Sequence, residues 1–335
     1  MRGGALGGRG PWRGIGRREW LAGVALAWLG ASGRAKPPSR EPEGEDPSLR
    51  EIEARARELG LRTFRKMRSR NYLAVGDATE EFQRLTLRDC ELIAGDYLDY
   101  YRANGFDITP PSRRLILVTL ADERSYKAMV GESLAEATGG LYNRRSNALF
   151  VYDYRRAPQK SLRAGHANLF NLAHEATHQL SFNTGLLNPR GDTPLCIIEG
   201  IGLYGEVRKF SARTEPGQVN STRLADLAHK QRRHGWLPVA QLLADDHPLR
   251  AEDLDLRHLA YAESWLLVYH LMKDPARLPG FRTYLAAIRN RRDASSRLDD
   301  ARAHWGDLDR LDQELRRALI RLLRGLPSSP IFAET

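Results

Sequence analysis

Cysteine is nearly absent. The 335 residues contain only Cys90 and Cys196, which excludes a disulfide framework and allows at most one bridge. Long apolar runs are scarce as well. The leader stretch 21–33 (LAGVALAWLGASG) is thirteen uncharged residues. It rises only about 20 Å as a helix, short of a hydrocarbon core of ~30 Å, which argues against a permanent membrane span. Internal repeats are lacking, and low complexity is confined to the N-terminal segment. The surplus of positive charge is smaller than it looks, because six Arg and one Glu in the first 35 residues supply +5 of the formal +10. The remaining basic clusters (Arg289, Arg291 and Arg292; Arg316, Arg317, Arg321 and Arg324) have no interleaved aromatics. They read as solvated faces and not as a nucleic-acid surface. With 41% hydrophobic residues, the chain can bury one large core or two small ones, which excludes a wholly disordered protein.

The N-terminus has the layout of an export signal: a Gly- and Arg-rich segment, the apolar stretch, and a small-residue exit. Arg17 and Arg18 stand just before the apolar stretch, as in a twin-arginine signal. Residues 1–35 are therefore expected to direct export to the periplasm, cell envelope or extracellular space. Residues 36–48 hold four prolines and alternating charge, the composition of a disordered linker.

Beyond the linker, hydrophobic periodicity predicts an α+β protein. Residues 49–160 form a strand-containing α/β subdomain, with a helix at 49–59, a strand or hairpin at 63–75 and a long helix at 80–101. A buried strand (LILVTL) follows at 115–120, then a helix at 122–134 and a hairpin over 141–152 turning at 144–147. The segment 147–152 is the candidate exposed edge. Residues 161–325 read as a helical subdomain, with patterns at 163–183, 195–210, 222–230, 258–273, 280–291 and 308–324, and 326–335 as a tail.

The segment with the clearest chemistry is His174-Glu175-Ala176-Thr177-His178, inside the apolar helical stretch LFNLAHEATHQLSF. Four residues apart on a helix, His174 and His178 share one face and can grip one metal ion, with Glu175 alongside to handle a water. The extended pattern with a third His is excluded, because Ser181 and Thr184 occupy the required positions. Glu199 lies 21 residues past His178 on an otherwise apolar helix that also carries Gly200, Gly202 and Gly205. A lone carboxylate there calls for a partner, and a metal would be one; a helix N-terminal charge is the competing reading. The glycines suggest close approach to the His174 helix. Glu206, on the same face, is an alternative ligand or a support for one. Cys196 reads as a small buried hydrophobe, and His229 and His234 as a solvated helix end.

HEATHQL followed by IIEGIGLYGE resembles the gluzincin branch of zinc metallopeptidases. It is most similar to the peptidase-MA-like group of uncharacterised exported bacterial proteins. The likeness runs over about 115–271, including LYNRRSNALFVYD and YAESWLLVYHLM. It implies a zincin-like fold, one Zn2+ per chain held by His174, His178 and Glu199, and Glu175 as general base and acid. The sequence departs from many gluzincins in one respect: the acidic residue expected four positions after the ligand Glu is Leu203, so support for a ligand histidine must come from elsewhere. Tyr204, Tyr261 and His270 are candidate oxyanion stabilisers, with Tyr261 first. The expected activity is amide-bond cleavage in a peptide or protein. The alternative is a non-catalytic exported protein that uses the metal as a structural clip or in a binding pocket.

Overall fold

The computed structural model describes residues 46–61, 64–131, 139–156, 164–209 and 211–325. The leader, nearly all of the linker and the C-terminal tail lie outside them. The architecture is α+β, with a five-stranded mixed sheet in the first half and helices in the second. Helix α1 (Pro47–Glu58) begins two residues before the expected boundary, because Asp46 caps it by accepting from the Ser48 N–H at 2.9 Å.

Strands β1 (Arg65–Arg68) and β2 (Tyr72–Gly76) form an antiparallel hairpin, after which α2 (Glu80–Ala103) crosses to β3 (Leu115–Leu120). Helix α3 (Glu123–Val130), β4 (Gly140–Asn143) and β5 (Ala148–Tyr152) complete the sheet, whose order is β1-β2-β3-β5-β4. β3 pairs in parallel with β2 and β5, and all six of its residues are buried, as a continuous apolar run in a covered sheet should be. Alternation divides the faces. Leu115 and Leu117 join the core beneath α2, whereas Ile116, Val118 and Leu120 pack with Leu49 and Ile52 of α1 and Tyr126 of α3.

The sequence placed the exposed edge on 147–152, and this is corrected by the strand order. β5 is interior, between β3 and β4, and β4 is the edge on that side of the sheet. The turn between them is built by Asn143, whose Oδ1 accepts from the N–H groups of Arg145 and Ser146, and by Asn147 in the left-handed region at φ 50°.

The helical half begins with α4 (Ala164–Asn183), which carries the HExxH motif and lies on the sheet. Gln179 fastens it there by donating to the carbonyls of Ile116 and Asn147, each at 3.0 Å. Then come α5 (Leu195–Gly205), α6 (Ser221–His234), α7 (Val239–Ala244), α8 (His247–Arg250) and α9 (Leu254–Lys273). Last are α10 (Leu278–Ile288), α11 (Arg297–Trp305) and α12 (Leu308–Gly325). The short helices α7, α8 and α11 carry too few turns for periodicity to reveal them. Among the described residues, no helix is long and apolar enough to cross a membrane.

α5 is held between α4 and α9. A Cβ on Gly200 would stand 2.5 Å from the Ser264 carbonyl oxygen, so this glycine serves the contact with α9, not the one with α4 that the sequence suggested for all three. The obstruction is backbone and cannot rotate away. Gly200→Ala is expected to lower the unfolding free energy by about 1–3 kcal/mol, read from the urea midpoint.

On the far side of α9, the Glu263 carboxyl is buried and accepts from the Leu237 N–H. Burial pushes it well above the ordinary carboxyl value of 4.5, against the pull of that N–H. The native state therefore keeps a proton that the unfolded chain sheds near 4.5, and stability falls as pH rises above that value. In paired urea titrations, wild type should lose stability relative to Glu263→Gln between about pH 5 and 8; parallel curves would refute this.

Candidate metal centre

On α4, the one-turn spacing brings the rings of His174 and His178 edge to face, 4.5 Å apart. Their Nε2 atoms are 2.9 Å from each other. Glu199 of α5 aims Oε2 between them, at 3.2 Å from His174 Nε2 and 3.5 Å from His178 Nε2. Ligands about 2.0–2.1 Å from a tetrahedral ion are about 3.3 Å from one another. Three lone-pair atoms converging at that spacing could hold a metal ion, and two imidazoles with one carboxylate leave a coordination position for water.

Gly202 makes this approach possible. A Cβ there would lie 2.7 Å from His178 Cε1 and 2.9 Å from His174 Cε1, so only glycine lets α5 come close enough for Glu199 to reach both imidazoles. Gly205 relieves the same crowding nearer the end of α5, where a Cβ would meet Thr177 Oγ1 at 2.3 Å.

Support for His174 comes from Glu206, just past the end of α5, whose Oε1 lies 3.0 Å from His174 Nδ1. Asn220 donates to the other oxygen of Glu206 at 2.7 Å, and Arg223 to Oε1 at 3.1 Å. Glu206 thus braces His174 and stands outside the group of three atoms that could hold a metal ion. Leu203 is fully buried in the core. Asn220 and Arg223 were missed in the sequence, where nothing marks them beyond a plausible helix cap. Among the described residues His178 Nδ1 is buried without a hydrogen-bond partner, so there only one of the two imidazoles is braced.

The electrostatics call for a cation. Burial opposes charge on His174, yet the hydrogen bonds to Glu199 and Glu206 outweigh it and push His174 up to about 10. Burial likewise opposes charge on Glu199, and His178 and His174 hold it well below the usual carboxylate range. Two buried carboxylates facing one imidazole are stable only with positive charge between them, as a proton or a metal ion. Glu175 is raised by burial despite the nearby imidazoles. Its Oε2 accepts from the Tyr142 N–H of β4 at 2.7 Å, which ties the carboxylate to the sheet edge.

These groups form the floor of an open cleft of about 640 Å³, with Gly140 and Tyr142 on the β4 wall and Arg257 and Tyr261 on the α9 wall. Tyr261 therefore lines the same cleft as these groups; burial together with Glu199 and Glu175 raises its phenol. The other two candidates are elsewhere. Tyr204 is buried with its hydroxyl bonded to that of Tyr100, and His270 points at Glu314, 3.4 Å away. Cys196 is a buried free thiol. His234 stands 3.8 Å from Asp253 and, with Asp255, forms a second grouping. Its carboxylates are already engaged, however: Asp253 caps α9, and Asp255 accepts from Lys230 at 2.8 Å and Arg233 at 3.0 Å.

Residues 168–291 match a family described as "Protein of unknown function (DUF1570)". The match takes in His174, Glu175, His178, Glu199 and Tyr261 and spans less than half of the chain. No curated protein matches the sequence.

Two substitutions separate the elements of this arrangement. Gly202→Ala is expected to weaken metal binding at least tenfold while leaving the cooperative unfolding transition intact, since the atoms it displaces are imidazoles and not backbone. Glu206→Gln should cost about ten- to a hundredfold in metal affinity. Both effects are read by competition with a chromogenic chelator.

Proposed function

We propose that the protein is an exported zinc-dependent hydrolase that cleaves an amide bond in a peptide or protein. The observation carrying this reading is the convergence of His174, His178 and Glu199 on one point, with the Glu175 carboxylate beside them on the floor of an open cleft. The donor set and the resemblance to gluzincins favour zinc. Bound there, zinc would polarise the scissile carbonyl and lower the pKa of a water.

The chain's own residues supply the remainder. Glu175 takes the proton of the attacking water and passes it to the leaving amine. The Tyr142 N–H holds the carboxylate in place for both transfers. The Tyr261 phenol, which lines the same cleft, donates to the oxygen that gains charge as the carbonyl is attacked. The Tyr142 N–H points out of the sheet edge, so by the alternation of an antiparallel ladder the amide and carbonyl of Gly140 face outward as well. An extended substrate can pair with Gly140 as an added strand, which sets its scissile bond over the metal site.

The decisive experiment is elemental analysis of the purified chain and of His178→Ala. About one zinc per chain, lost in the variant, is the expected result; no metal in either, after zinc is supplied, would end the reading. Glu175→Gln should keep the metal and lose at least about a hundredfold in kcat on a cleaved peptide. Tyr261→Phe should lower kcat about a hundred- to a thousandfold with little change in KM.

A further inference from the structure

The wall facing β4 carries charge that this chemistry leaves unused. Arg257 stands one turn before Tyr261 on α9, so the two share a helical face, and both line the cleft. Arg257 is half-buried, and among the described residues its guanidinium makes neither an ion pair nor a hydrogen bond. Arg250, at the end of α8, lines the same cleft with its side chain 69% exposed. Its nearest carboxylate, Asp246, is 3.7 Å away and already bound by Arg297 at 2.9 Å.

The other two arginines of the cleft are engaged. Arg223 is paired with Glu206, and Arg144 donates to the Pro189 carbonyl and stacks on Phe182 at 4.6 Å. Among the described residues, the acidic groups of the cleft are Glu175, Glu199 and Glu206, and each is committed to the metal centre or its support. A divalent cation would cancel two of those charges. A half-buried guanidinium in a recess, with no anion beside it among the described residues, is a receptor for a planar anion.

We infer that Arg257, assisted by Arg250, binds a carboxylate of the substrate, so that the cleft selects peptides with an acidic group close to the bond to be cut. An Asp or Glu side chain and a chain-terminal carboxylate present the same pair of oxygens to the guanidinium fork. This inference rests on the hydrolase reading and deepens it by naming the substrate class.

The test uses the full zinc-supplied chain in a Glu175→Gln background, so that peptides bind without turnover, with affinity read by fluorescence anisotropy. Four labelled hexapeptides are compared: a neutral amidated one, the same with a central Glu, the same with a free C-terminus, and the same with a central Lys. The Glu peptide or the free-C-terminus peptide should bind about ten- to a hundredfold tighter than the neutral one, and which of them does so identifies the carboxylate's source. Arg257→Gln should erase the difference between acidic and neutral peptides, and Arg257→Lys should keep some of it, because charge remains while the fork is lost. Circular dichroism of each variant excludes misfolding.

Equal binding of acidic and neutral peptides, or an acidic preference that survives in the Arg257→Gln/Arg250→Gln double variant, overturns the inference. If the unmodified chain cleaves peptides irrespective of charge, only the carboxylate assignment fails. If it neither binds nor cleaves any of the four, the hydrolase reading fails with it.

Discussion

The close approach of α5 to α4 at Gly202 is the constraint on which the site depends. A hydrogen in place of a methyl lets the two imidazoles and Glu199 reach a common point, and any larger side chain would meet both rings. The helix that makes this approach is unfavourable by propensity, since its glycines each cost about 1 kcal/mol relative to alanine. Burial offsets that cost: Ile197, Ile201 and Leu203 are fully enclosed. Gly200 and Gly202 face opposite neighbours, so α5 is pressed between α9 and α4, and the position of Glu199 is set from both sides.

The electrostatics of the floor follow from that packing. Once α5 is seated, Glu199 and Glu206 fall on one face and bracket His174, the first at Nε2 and the second at Nδ1. Asn220 and Arg223, at the start of α6, hold Glu206 in turn, so the support of one histidine on α4 is drawn from two other segments. The sheet enters through Glu175, which is bonded to the backbone of β4, and through Gln179, which fixes α4 to β3. Groups that would activate a water and groups that would align a substrate are therefore coupled through a single helix. Across the cleft, the acidic floor faces an arginine-bearing wall on α8 and α9, and this separation of charge gives the recess a direction.

Much of the site was legible in the sequence because the features concerned are local. The pairing of His174 with His178 is a property of 3.6 residues per turn, the burial of β3 follows from an unbroken apolar run, and the carboxylate of Glu199 was conspicuous on an apolar helix. The features settled only by tertiary structure are those in which distant segments choose partners. Parallel pairing of β5 with β3 makes β4 the edge, which no single hairpin can specify. Glu206 meets His174 while Leu203 turns into the core, because the seating of α5 against α4 decides which of its side chains face the imidazole. Tyr261 reaches the cleft and Tyr204 and His270 do not, although all three sit in similar apolar helices. Periodicity tells which face of a helix is buried; only packing tells what that face is buried against.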